Sequence, residues 1–60
     1  MRLWIARDVD GDIYLHKNKP FQKVAGIWTC TDQEFFWLGK EYFPEVTFEN
    51  SPREVEIKLV

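Results

Sequence analysis

Two short apolar-rich segments, Leu3-Trp4-Ile5-Ala6-Arg7 and Asp12-Ile13-Tyr14-Leu15-His16, flank Val9-Asp10-Gly11. This pairing constrains the fold more than any other feature of the chain. The β-branched and aromatic content of both segments fits a pleated surface, and Asp-Gly between such runs is a strong hairpin signal. Parity then sets the loop length. A two- or four-residue loop pairs Ile5 with His16 and Asp8 with Ile13, whereas a three-residue loop with Gly11 in the left-handed conformation pairs Ile5 with Leu15 and Arg7 with Ile13. Only the second gathers Leu3, Ile5, Ile13 and Leu15 on one face, because a one-residue slip sends every side chain to the other side. The opposite face then carries Trp4, Ala6, Tyr14 and His16, which is unusually aromatic for a surface that only meets water.

Sixty residues, 45% hydrophobic and 17% aromatic, make one domain over residues 1–60, near the size at which a single core just sustains a fold. Cys30 is the only cysteine, so no intrachain disulfide assists. The core is expected to come from three Trp, five Phe and two Tyr, each able to bury roughly 150–250 Å². The lone thiol, and a chain that opens directly into strand-like Arg2-Leu3-Trp4-Ile5, lead us to expect a reducing cytoplasm. Phe35-Phe36-Trp37-Leu38 is the longest apolar run, far short of the roughly 20 residues of a spanning helix, so no membrane partner is expected. Ten acidic against eight basic residues give a net charge of −2, too mild to steer the chain toward phosphates.

Beyond the hairpin, Lys17-Asn18-Lys19-Pro20 is a turn cluster. Phe21 to Ala25 is weakly patterned and reads as an irregular connection anchored by Phe21 and Val24. Ile27 to Thr31 reads as a third strand. Residues 32–43 admit two structures. Thr31-Asp32-Gln33-Glu34 matches a helix capping box with an apolar stripe at Phe35, Leu38 and Tyr42, but Gly39 and three consecutive aromatics disfavour a helix. The preferred alternative is a hairpin turn at Asp32-Gln33, a fourth strand over Glu34–Leu38 and one helical turn at Lys40–Phe43 ended by Pro44. Glu45–Glu49 alternates, Asn50-Ser51-Pro52 is a turn, and Glu54–Leu59 alternates with Val55, Ile57 and Leu59 inward. The expected fold is mainly β: an antiparallel sheet, small barrel or sandwich of five or six short strands.

The segments Ala6-Arg7-Asp8-Val9-Asp10-Gly11, Tyr14-Leu15 and Phe43 to Ile57 resemble a group of short, uncharacterised proteins of bacteria and their phages. In that group an ARDxDG hairpin precedes a variable middle and an FPEVTWE-type ending, with Phe48 here where tryptophan is common. The resemblance covers most of the chain. It implies a small cytoplasmic protein of bacterial, phage or prophage origin, supports a strand at Glu34–Leu38, and transfers no functional residue.

Several chemistries can be weighed against plainer roles. Asp8, Asp10 and Asp12 at alternate positions open like an EF-hand loop, but Ile13 stands where its glycine belongs and Lys19 where its bidentate Glu belongs; turn formation explains them better. Cys30 and His16 could pair as nucleophile and base only if the fold joins them, and Cys30 is expected to pack as a small apolar residue. One Cys and one His do not make a zinc site, and no phosphate loop is present, so no cofactor is expected. Trp4, Tyr14 and His16, with Arg2, Arg7, Lys17, Lys19 and Lys23 nearby, could stack single-stranded nucleic acid. Alternatively Trp4 and Tyr14 cover a second small core. In the fourth strand Phe36 and Leu38 point one way, Phe35 and Trp37 the other, so one pair fills a second layer or stands exposed as a contact site.

The function expected from these features is non-catalytic binding, most simply of another protein, through an aromatic face including Trp4, Tyr14, His16 and Trp37 or through an unpaired sheet edge. A homodimer through that edge, a single-stranded nucleic-acid binder and, least of all, a Cys–His enzyme are the alternatives.

Overall fold

The N-terminal hairpin forms in the register that parity demands. In the computed structural model, which describes residues 1–31 and 34–59, β1 (Arg2–Arg7) pairs with β2 (Ile13–His16) so that Ile5 faces Leu15 and Arg7 faces Ile13. Gly11 takes φ 99°, a conformation open to glycine without Cβ strain. The Asp8 N–H donates to the Asp12 carbonyl at 2.8 Å, and the Gly11 N–H to the Asp8 carbonyl at 2.9 Å. Asp10 Oδ1 accepts from the Asp12 N–H at 3.0 Å, as expected of an aspartate in a turn.

Four strands continue the described chain: β3 (Phe21–Val24), β4 (Ile27–Thr29), β5 (Phe35–Gly39) and β6 (Arg53–Glu56). They build an antiparallel four-stranded sheet in the order β5-β2-β1-β6 and a separate two-stranded sheet, β3-β4. The main core lies on one face of the larger sheet, where Ile5, Ile13 and Val46 are buried and Leu15, Leu38 and Val55 pack against them. Full burial of each such aliphatic side chain contributes about 1.5–3 kcal/mol. Val46 comes from residues 40–51, which lie over the half of this face nearest the hairpin turn.

Two clamps at that turn hold the rest of the chain. The Arg7 guanidinium uses all five of its N–H groups on main-chain carbonyls: Nε on Val46 (2.6 Å), Nη1 on Gly11 (2.5 Å) and Lys40 (3.1 Å), and Nη2 on Tyr42 (2.8 Å) and Phe43 (3.1 Å). Its own N–H donates to Ser51 Oγ at 2.9 Å, and that hydroxyl donates to the Thr47 carbonyl. On the other side Asp8 Oδ1 accepts the Trp28 N–H at 2.9 Å, while the Val9 N–H donates to the Gly26 carbonyl at 2.9 Å. Gly26 has φ 87°, and a Cβ there would stand 2.9 Å from Val9 Cγ1. The two-stranded sheet can therefore seat on the hairpin only with glycine at that corner.

Five sequence expectations need correction. Lys40–Phe43 forms no helical turn: its carbonyls turn aside to Arg7, Pro44 has no N–H to close one onto Lys40, and Phe43 adopts φ 54°. Phe21–Ala25 is not an irregular connection, since Phe21–Val24 pairs with β4; nor are Phe21 and Val24 anchors, both being exposed. Glu45–Glu49 is no strand. Asn50 Oδ1 takes the Thr47 N–H, Thr47 Oγ1 takes the Asn50 N–H, and Asn50 Nδ2 reaches the Glu45 carbonyl, local bonds that compete with a ladder. The last strand stops at Glu56, leaving Ile57 and Leu59 exposed instead of inward. The third and fourth strands also do not form a hairpin with each other, because β4 pairs with β3 and β5 with β2; the Asp32-Gln33 turn itself lies outside the described residues.

Candidate functional site

The aromatic face of the hairpin is largely taken up in packing. Trp4 and His16 are cross-strand neighbours as parity requires, but His16 is 1% exposed and Ala6 fully buried. Trp4 is half-buried, with Lys19 Nζ 5.5 Å from the centre of its ring. Tyr14 is half-buried and meets Phe35 edge-on at 5.6 Å, and the His16 ring lies 5.9 Å from Phe35. A cleft of about 140 Å³ separates Tyr14 and Phe35 from Ile27, Trp28 and Thr29 of β4. Of the two arrangements the sequence leaves open for Trp4, Tyr14 and His16, a second layer or a contact face, the burial of His16 and the half-burial of Trp4 and Tyr14 favour packing. Burial raises the Tyr14 hydroxyl above its ordinary pKa, with Asp12, Asp8 and Asp10 adding to the effect.

Trp37 behaves differently. It sits on the same face as Tyr14, its cross-strand partner, yet remains 64% exposed. Its Nε1 donates to Asp12 Oδ1 at 3.3 Å. Its neighbour Phe36 points to the core face and is 74% exposed. The reason is position: β5 ends the sheet, and residues 40–51 do not reach over this corner. Beside it Met1, Leu3, Leu15, Lys17, Glu34, Phe35 and Phe36 line an apolar cleft of about 490 Å³.

The main chain of β5 is open as well. The Lys17 N–H donates to the Glu34 carbonyl at 3.2 Å, so by the alternation of an antiparallel ladder Glu34 and Phe36 direct their main-chain groups at β2. Phe35 and Trp37 then direct theirs outward, where no strand pairs with them among the described residues. From Phe35 to Gly39 this edge bears no charge, proline or covering segment. The other edge, β6, runs Arg53-Glu54-Val55-Glu56, with ion pairs Arg2–Glu54 and Lys58–Glu56, each 3.7 Å. Charge of that kind is how natural sheets blunt an edge.

The remaining candidates are accounted for locally. Asp8 is bonded to Trp28, Asp10 to the turn, and Asp12 to Trp37 and Lys40 (3.6 Å). Burial, more than the neighbouring Asp10 and Asp12, holds the Asp8 carboxyl above its ordinary pKa, against the opposing pull of the Trp28 N–H. Cys30 is buried, its thiol directed at the Glu34 carbonyl (3.9 Å); neither it nor His16 lines the clefts beside β4, β5 and β6. Of the five cations near the aromatic face, Arg7 is wholly occupied by carbonyls and Lys17 lies 3.1 Å from Glu34. Among the described residues no helix is long and apolar enough to cross a membrane.

Sequence reasoning placed Trp37 in the binding face, weighed Phe36 only within a strand pair that either packs or stands exposed, and did not find the cleft formed with Met1 and Leu3. Alternation had already separated Phe36 from Trp37; the missing piece was strand order, which places β5 at the rim. Comparison with family models, curated proteins and solved structures returns no match.

Proposed function

We propose that this is a small non-catalytic binding protein that engages another protein by accepting an extended segment along the outer edge of β5. The observation that carries this is the uncharged strand Phe35–Gly39 at the rim of the sheet, with main-chain groups facing outward and Phe36 and Trp37 exposed on its two faces. Main-chain bonds to an added strand supply affinity, and pockets for alternate side chains supply choice. The cleft between Leu3, Leu15 and Phe36 suits an apolar side chain of the incoming segment. Its Lys17–Glu34 rim offers a charge of each sign.

Selection of displayed ten-residue peptides against the protein, followed by amide exchange, tests this. Binders are expected to slow exchange at Phe35 and Trp37 and to lose affinity when their alternate amides are N-methylated. Failure to select any binder, or binders that leave both amides exchanging freely, would overturn the proposal. Engagement of Arg7 and Lys17 within the fold weighs against a single-stranded nucleic-acid binder, whose mark would be tryptophan quenching lost steeply with salt. The buried thiol of Cys30 supports a reducing cytoplasm, in keeping with the bacterial or phage origin that the resemblance implies.

A further inference from the structure

We infer that the β5 edge is self-complementary and joins two copies of this chain into a symmetric dimer with a continuous eight-stranded sheet. The inference rests on β5 being an open edge, and it names the second copy as an occupant of that edge.

A two-fold axis normal to the sheet makes β5 meet its copy antiparallel. Only outward-directed residues can exchange bonds, and these are Phe35 and Trp37. Placing the axis at Phe36 sets Phe35 opposite Trp37 of the other copy, twice, and Phe36 opposite itself. All three aromatics then gain an aromatic cross-strand partner, a pairing worth about 0.2–1 kcal/mol each relative to Ala–Ala. Sliding by two residues in one direction sets Trp37 opposite its own copy, Phe36 against Leu38 and Phe35 against Gly39, leaving one aromatic pair in place of three; sliding the other way carries Trp37 past the start of β5. One register is therefore favoured.

Charge points the same way. Two β5 edges meet without like charges, because Phe35–Gly39 has none and the flanking Lys17–Glu34 and Lys40–Asp12 pairs are neutral overall. On β6 the Met1 and Ile57 main chains bond each other (Met1 N to Ile57 O 3.2 Å, Ile57 N to Met1 O 2.7 Å). Alternation therefore turns the main-chain groups of Glu54 and Glu56 outward, and the same two-fold operation would set Glu54 opposite Glu56, a destabilising arrangement. Pairing of β5 with β6 would leave an edge open at each end and build a filament. The charged side chains of β6 would meet the uncharged aromatics of β5 without a complementary partner, which disfavours that pairing, so assembly closes at two.

Size limits the strength. Phe35, Phe36 and Trp37 are 45%, 74% and 64% exposed; at roughly 150–250 Å² per ring they offer about 350 Å² per copy. With the strand backbones and Met1 beside Phe36, the total approaches the approximately 1,000 Å² at which specific interfaces begin. The dimer is reversible and concentration-dependent.

Sedimentation over a wide concentration range, with cysteine variants in a Cys30→Ala background, tests this. The expected result is a monomer–dimer equilibrium, with Phe36→Lys monomeric throughout, unchanged in circular dichroism, and unchanged in melting at concentrations where the wild type is itself monomeric. Phe36→Cys should cross-link under mild oxidation, because a non-hydrogen-bonded pair on the axis sets its Cα atoms about 4.5 Å apart, within disulfide reach. Phe35→Cys, displaced from the axis, should not cross-link to itself. A monomer at every concentration, or equal cross-linking of Phe35→Cys and Phe36→Cys, overturns the dimer. Monomer together with peptide protection of Phe35 and Trp37 discards the second copy and leaves the partner reading standing; dimer without any peptide binder supports the second copy and removes the partner.

Discussion

At the hairpin turn the charged side chains are committed to holding the fold, whereas along the outer edge of β5 main-chain groups and aromatic rings are left for something outside it. Arg7 saturates five N–H groups on five carbonyls, and Asp8 carries the second sheet through Trp28. Phe36 and Trp37, in the same sheet, are mostly exposed. The difference teaches how a chain of 60 residues divides its material: a small core cannot cover both faces of a four-stranded sheet, so long-range polar bonds secure one end and the other end remains bare. If that division is right, changes at the turn cost stability, and changes at the edge cost association alone.

The largest effect is expected at Arg7. Replacing it with Met strands several carbonyls and releases residues 40–46, at a cost of about 2–4 kcal/mol, since hydrogen bonds to a charged group are worth about 1.5–3 kcal/mol each and the Lys40, Tyr42 and Phe43 bonds are solvent-exposed. A domain this small has little more than that in total, so Arg7→Met should be substantially unfolded in urea titrations followed by tryptophan fluorescence. Arg7→Lys should recover little, since one ammonium cannot serve a planar array of five acceptors. A fully folded Arg7→Met would break the contrast from the turn side.

Asp8 comes next. Asp8→Ala leaves the Trp28 N–H without its acceptor, a loss of about 1–2 kcal/mol. Because burial raises the folded carboxyl above its ordinary 3.8, the folded protein holds this proton more tightly than the unfolded chain. The associated stability is fully present below the unfolded value and is lost as pH rises through the raised folded value. Wild-type midpoints should accordingly fall across that window, and Asp8→Asn, which keeps an acceptor, should flatten the slope. An identical pH profile in Asp8→Asn would show that another group is responsible.

The smallest change in stability belongs to the edge. At concentrations where the wild type is monomeric, Phe36→Ser should move the unfolding free energy by no more than about 0.5 kcal/mol, as for an ordinary surface substitution, while removing the concentration-dependent association seen above them. A loss well above 1 kcal/mol would make Phe36 part of the core, and the contrast would collapse from the other side.

Much of the sheet was legible because it depends on neighbours in sequence. Parity across Val9-Asp10-Gly11 specified the register of β1 and β2 and the left-handed Gly11, and alternation separated Phe36 from Trp37. What escaped depends on distant partners or on absent signals. The shape of residues 40–46 is imposed by a guanidinium more than thirty residues away. All four side chains of β3 are exposed, so no buried alternation marks it, while Glu45–Glu49 alternates but is captured by Thr47 and Asn50. Whether Trp4, Tyr14 and His16 pack or stand open was likewise beyond the reach of neighbours in sequence: Tyr14 meets β4 across a narrow cleft, and the second sheet that brings β4 there docks through Asp8 and the Gly26 carbonyl.

The clamp at the turn also orders events in time. A hairpin of this length closes in about 1–10 μs, and it precedes in the chain both segments that fasten to it, 20 and up to 39 residues downstream. During synthesis from the N-terminus, the template is therefore complete before either client segment leaves the ribosome. Arg7 and Asp8 thus serve as a waiting receptor on which the remainder of the nascent chain takes its shape.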